Sequence, residues 1–231
     1  VTSLRNAALV RYLPFAVFMA FIGFEEVFRL LAGKGMVTVT EATFYYLYPI
    51  KTLVVASLLY RYRKEYAEIS LKDLANLPVT FAVCCVGLVV FALWIRMDWP
   101  LGAPRAPQGF NPGLLPGRDL QVVMTVVRVG GAVLVVPIME ELFWRSFFIR
   151  YLISRDFSQV PLGLFTLPSF LITVLLFGSE HNFIFAGMMA GAIYNGILYR
   201  TRSLAHCILA HAVTNLALAM YVLSTGKWYF W

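Results

Sequence analysis

The sequence is short of charge. Of its 231 residues only 13% are Asp, Glu, Lys or Arg, while 60% are hydrophobic, far more apolar surface than a soluble domain of this length needs. Cysteine is scarce as well. Cys84, Cys85 and Cys207 form no CxxC spacing, which removes the usual dithiol and zinc-ribbon patterns. Cys84 and Cys85 sit together in an apolar run and read as small hydrophobic filler. There is no HExxH motif, no internal repeat, and no polar linker between folded units, so residues 1–231 read as a single integral membrane domain. The formal net charge of +7 does not point to nucleic acid. The basic residues stand at the ends of hydrophobic segments, where they anchor and orient membrane helices.

What the chain has in quantity is long apolar runs. Seven occur, at roughly 11–31, 43–60, 79–95, 120–139, 161–179, 183–199 and 204–223. About 20 apolar residues cross a bilayer as helix. The expected fold is therefore all-α, a polytopic transmembrane helix bundle of about seven to eight membrane helices. Residues 140–155 hold no Gly or Pro and should prolong the fourth helix, with a bend at Pro137. Residues 98–118, rich in Pro and Gly, read as an irregular loop outside the hydrocarbon. Arg5 and Arg11, then Arg61, Arg63, Lys64 and Lys72, then Arg150 and Arg155, then Arg200 and Arg202 fall on one side if the segments alternate. The positive-inside rule puts that side, and the N-terminus, in the cytoplasm. The expected location is a prokaryotic cytoplasmic membrane.

Against this background a few ionisable groups stand out, because each charge at the centre of a membrane helix costs about 2.5–3.5 kcal/mol on insertion scales. Residues 139–148, "MEELFWRSFF", hold Glu140, Glu141 and Arg145. Glu141 and Arg145 are four apart and share a helix face, whereas Glu140 lies about 100° round. One carboxylate is then neutralised by Arg145 while the other is left for proton work. All three histidines lie in the C-terminal third. His181 closes "FGSEHN" at 177–182, and His211 and Asn215 share a stripe of the last segment. His206, five before His211, is turned roughly 140° away and reads as a bystander. A carboxylate and an imidazole can hold and deprotonate a water; an imidazole and an amide can donate to an oxyanion.

"EELFWR", then an apolar segment ending "FGSEH", then "HAVTN" resemble the three motifs EExxxR, FxxxH and HxxxN/D of the CPBP family, which includes Rce1-type CAAX prenyl endopeptidases and bacterial relatives linked to bacteriocin processing or self-immunity. The matching residues are Glu140, Glu141 and Arg145; Phe177 and His181; His211 and Asn215, within a core of about residues 120–220. The N-terminal half is similar to a subgroup associated with exosortase-type sorting systems. The resemblance implies an intramembrane endopeptidase of the glutamate type with no cofactor. Glu140 would be the general base, His181 would help hold the water, and His211 and Asn215 would stabilise the oxyanion. Glu141 and Arg145 would orient the site. The implied partners are the lipid bilayer and a peptide or protein substrate entering from it, prenylated or carrying a hydrophobic C-terminal segment.

Three rival readings remain at this point. Glu140, His181 and His211 could ligate zinc, since three protein ligands and a water make a catalytic zinc site. The same polar residues could serve a non-catalytic membrane partner or immunity protein. Buried charges such as Lys51 and Arg128 could belong to a transporter, though no repeat symmetry supports it. An upstream echo, "FEEVFR", offers Glu25, Glu26 and Arg29; it reads as an interfacial or helix-pairing ion pair, with Lys51 and Arg128 open to three roles: its partners, snorkelling side chains or the lining of a cavity. Glu180, beside His181, reads as facing headgroups. One difficulty is geometric: simple alternation would put Glu140 and His181 on opposite sides of the membrane.

Overall fold

The structure is a computed structural model describing residues 2–99 and 109–231. Among the described residues all regular structure is helical, in seven main helices. They are α1 (Thr2–Gly33), α2 (Leu47–Tyr62), α3 (Leu77–Trp94) and α4 (Arg118–Tyr151), then α5 (Leu167–Ser179), α6 (Ile184–Thr201) and α7 (Leu204–Thr225). Five are long and apolar enough to cross a membrane: α1, α2, α3, α4 and α7. Their outer faces carry exposed Phe81, Val126, Leu134 and Met220, the surface that lipid covers. The protein is a polytopic helical bundle, and among its described helices these five have the length and hydropathy of a membrane span.

Helix α5 falls short of that length. The segment expected from residue 161 starts only at Leu167, after Pro161 and a Gly163 at φ +77°. Thr166 caps it, accepting the Ser169 N–H at 3.3 Å. Pro168 occupies the second helical position, where a missing N–H costs nothing, so it bends nothing. With 13 residues, α5 rises only about 20 Å, short of a hydrocarbon core of about 30 Å. The hairpin of α5 and α6 thus turns at Ser179–Phe183 within the depth of the bundle.

Helix α4 makes the opposite departure. It runs unbroken through Pro137 for 34 residues, widened into π-helix at Gly131–Val135 and again at Leu142–Phe148. In the first π turn the Val136 N–H bonds to the Gly131 carbonyl. The same register would give the Ala132 carbonyl the N–H of residue 137, and proline has none. The Asn215 amide of α7 donates to it instead, at 2.8 Å. At the expected bend the helix widens locally, and the freed acceptor ties α4 to α7.

One end of the bundle is fastened by a polar network. Arg11 of α1 donates to both carboxylate oxygens of Glu68, at 2.7 and 2.8 Å, and to Ser146 of α4 at 3.1 Å. Ser146 also donates to Glu68, and Arg150 donates to Ser146 at 3.2 Å. At the same end Ser203, between α6 and α7, donates to Asp73 at 2.5 Å. The basic clusters at Arg11, Arg61–Lys72, Arg150 and Arg200–Arg202 thus gather at one end, as alternation required. Of the loop at 98–118, residues 100–108 lie outside the described residues; Pro112–Leu114 forms a single 3₁₀ turn.

Burial opposes ionisation of Glu68, but the Arg11 guanidinium and the Ser146 hydroxyl outweigh it and hold the carboxyl below the usual glutamate range. A group with a lowered folded pKa adds stability that is complete above its unfolded pKa of about 4.3 and is lost as pH falls through the folded value. Thermal unfolding in detergent should show this acid loss in the wild type. Glu68→Gln should flatten it and destabilise by about 3 kcal/mol or more, the cost of stranding a buried partner. An unchanged acid limb would remove Glu68 from the network.

Candidate active site

At 1.5 Å per residue, Glu140 lies about 16 Å along α4 from Tyr151, and His181 lies about 20 Å from the start of α5. Both helix ends belong to the fastened end of the bundle, so the two residues meet at mid-depth. A long helix carries one past the surface and a short hairpin stops at the same level, which resolves the opposite-sides difficulty.

Arg145 and Glu141 are completely buried. The guanidinium donates to Glu141 Oε1 at 3.3 Å, to Asn195 Oδ1 at 3.1 Å and to the Gly191 carbonyl at 3.2 Å. It lies over the Phe177 ring at 4.5 Å and the Tyr194 ring at 5.5 Å. His211 completes the cluster: its Nδ1 is 3.0 Å from Glu141 Oε1. Because that carboxylate already faces Arg145, it accepts and Nδ1–H donates. The other ring nitrogen, Nε2, then faces Glu140 Oε2 at 3.9 Å. The ring stacks on Tyr194, centroids 5.0 Å apart.

Glu140 is held quite differently. It is 8% exposed, and its Oε2 has no hydrogen-bond partner among the described residues. His181 Nδ1 is 2.7 Å from the Phe177 carbonyl; a carbonyl only accepts, so Nδ1 carries the proton and Nε2 is the free nitrogen. Trp94 meets the His181 ring edge-on at 5.3 Å. The ring's place also depends on glycine: a Cβ on Gly187 would lie 3.0 Å from His181 Nδ1 and 2.9 Å from the Gly178 Cα.

The structure brings together all six residues singled out by sequence: Glu140, Glu141, Arg145, His181, His211 and Asn215. Glu140, His181, His211 and Asn215 line one cavity of about 410 Å³. His206 lies elsewhere, its Nε2 3.3 Å from the Thr80 hydroxyl. Glu180 is corrected. It faces inward, accepts from the Trp144 indole N–H at 3.0 Å, and joins Glu140 and His181 in a group whose ligand atoms lie within 4.8 Å of one another. That trio, with Glu180 in place of His211, is the set that could hold a metal. Asn195 was missed, although a lone amide inside the sixth apolar segment is a signal of function.

The echo forms ion pairs as expected, Lys51 to Glu25 at 2.9 Å and Arg29 to Glu26 at 2.7 Å and Glu41 at 3.1 Å. The sequence did not show that these residues line the same cavity as Glu140.

Two glycines of α6 separate site geometry from helix propensity. Gly187→Ala should destabilise by about 1–3 kcal/mol through overpacking. At Gly196 nothing lies within 4 Å of an added Cβ, and Gly196→Ala should be neutral or stabilise by up to about 1 kcal/mol. Equal effects in detergent unfolding would contradict the close packing at His181.

Residues 122–217 match the model of a family described as type II CAAX prenyl endopeptidase Rce1-like. No curated protein and no solved structure matches the chain. The matched stretch contains Glu140, His181, His211 and Asn215, and leaves out the N-terminal half on which the exosortase likeness rested. The resemblance read from the motifs is thus matched over residues 122–217, where those motifs converge in one cavity, by the Rce1-like family of type II CAAX prenyl endopeptidases.

Proposed function

We propose that the protein is an intramembrane endopeptidase of the glutamate type, cleaving a peptide bond of a membrane-associated or lipidated substrate. The observation that carries this reading is the contrast between adjacent carboxylates. Glu141 Oε1 is engaged by both Arg145 and His211, while Glu140 lines the cavity that His181 and His211 share and accepts no hydrogen bond from the described residues; the Oε2 atoms of both carboxylates are buried without a partner. A water held between Glu140 and the free His181 Nε2 gives its proton to Glu140 as its oxygen attacks the carbonyl carbon. Glu140 then delivers that proton to the leaving amine as the C–N bond breaks. The Asn215 amide donates its second N–H to the developing oxyanion, and His211 donates Nε2–H to it as an imidazolium, with Nδ1–H still on Glu141. The substrate enters from the bilayer. The N-terminus faces the cytoplasm, since the basic clusters gather at its end of the bundle.

The Glu140–Glu180–His181 group supports a second reading in which the same residues hold zinc. A chelator separates the two, abolishing cleavage by a zinc enzyme and sparing a glutamate peptidase.

The test is proteolysis in detergent or liposomes against a panel of quenched hydrophobic and prenylated peptides. Glu140→Ala should lower cleavage by at least about 100-fold, the low end for a general base, in protein that remains folded. A folded Glu140→Ala variant that keeps wild-type activity sinks the assignment. A panel uncut by wild type while one peptide binds would favour the membrane-partner reading.

A further inference from the structure

The cavity has a second charged wall, and one of its cations has no counter-charge. Arg128 projects from α4 into the cavity shared with Glu140. Its guanidinium lies over the Tyr48 ring at 4.3 Å, and the Lys51 ammonium approaches the same ring at 5.5 Å. The nearby carboxylates are already engaged, Glu25 by Lys51 and both Glu26 and Glu41 by Arg29. Among the described residues Arg128 forms no salt bridge, and its Nε is buried without a hydrogen-bond partner. The Tyr48 hydroxyl donates to the Arg128 carbonyl at 3.2 Å, which fixes the backbone but does nothing for the charge.

An unpaired guanidinium inside a membrane bundle is costly, and ring stacking offsets about 2 kcal/mol at best. Arginine's planar fork matches a carboxylate with two parallel N–H···O bonds. We infer that Arg128, with Lys51 behind it on Tyr48, is an anion subsite that takes a carboxylate of the bound peptide. This rests on the reading of the cavity as a peptide site. Arg128 precedes Glu140 by 12 residues, about 18 Å along α4. At about 3.3 Å per residue that is roughly five residues of extended peptide, fewer once the two side chains reach toward each other. The subsite thus sets how far from its carboxylate a short extended chain meets Glu140.

The carboxylate is either a chain terminus or an acidic side chain, and three probes distinguish them. The probes are one N-terminally fluorescein-labelled peptide of Leu, Val and Ala as the free acid, its C-terminal amide, and the amide carrying one Asp. Anisotropy titrations use full-length Glu140→Gln protein in detergent, with and without Arg128→Gln. At least one carboxylate form should bind tenfold or more tighter than the plain amide, and the preference should vanish in Arg128→Gln. Preference for the free acid identifies the terminus; preference for the Asp peptide identifies the side chain. Equal binding of all three, binding of none, or a preference that survives Arg128→Gln overturns the subsite. Arg128→Lys should keep part of the preference. Since Arg128 has no ion pair to lose, Arg128→Gln should keep its unfolding temperature, and a variant that unfolds would make Arg128 scaffold and overturn the inference. Cleavage of these peptides by wild type is read separately by mass spectrometry. Carboxylate-dependent binding without cleavage sinks the protease reading and leaves the subsite; cleavage with no carboxylate preference does the reverse.

Discussion

The buried pair of Glu141 and Arg145 is the interaction on which the site depends. Neither side chain has any exposed surface, and two charges withdrawn from water are costly unless hydrogen bonds offset the loss of hydration; Glu141 accepts through Oε1 alone, its Oε2 having no partner among the described residues. Arg145 donates to Glu141, Asn195 and the Gly191 carbonyl, and the Phe177 and Tyr194 rings sandwich it. Through Glu141 the pair fixes His211, and through Gly191 and Asn195 it holds α6 against α4. Glu140 gains from this arrangement by being left out of it. Its neighbour's Oε1 absorbs the fixed positive charge, and Glu140, lining the cavity, accepts no hydrogen bond from the described residues.

Depth is the second constraint. Glu140 and His181 must meet inside a layer about 30 Å thick, although the helices that carry them run in from the surface. The chain solves this with unequal lengths, a 34-residue α4 and a 13-residue α5. The π segments flanking Val136–Glu141 belong to the same solution, since such segments recur at functional sites. Pro137 frees the Ala132 carbonyl, and Asn215 takes it up, so α7 is held where His211 must be. A proline inside one helix thereby fastens that helix to its partner.

Much of the site was legible in the sequence because its parts are i,i+4 pairs on single helices. Glu141 with Arg145 and His211 with Asn215 are local patterns, and the scarcity of charge made each visible. Glu180 was misread because its role depends on the α5–α6 turn, which points it at Trp144 and Glu140 rather than outward. Asn195 and Arg128 act across helices, and no spacing along the chain encodes that. Hydropathy found seven segments but did not show that α5 would have only 13 residues, since its start is set by a cap at Thr166 after six residues of irregular chain. The echo at Glu25–Arg29 gave its chemistry correctly, as ion pairs, but not its position on the cavity wall.

The most direct test of the account is a double-mutant cycle on stability, with Glu141→Gln, Arg145→Met and the combined variant unfolded in detergent. Each single change strands a buried charge and should cost about 3–5 kcal/mol. The double variant strands neither and should be more stable than the sum of the singles by about 1–3 kcal/mol. Additive losses would mean that Glu141 and Arg145 do not neutralise each other. The explanation of why Glu140 stands free would then fail.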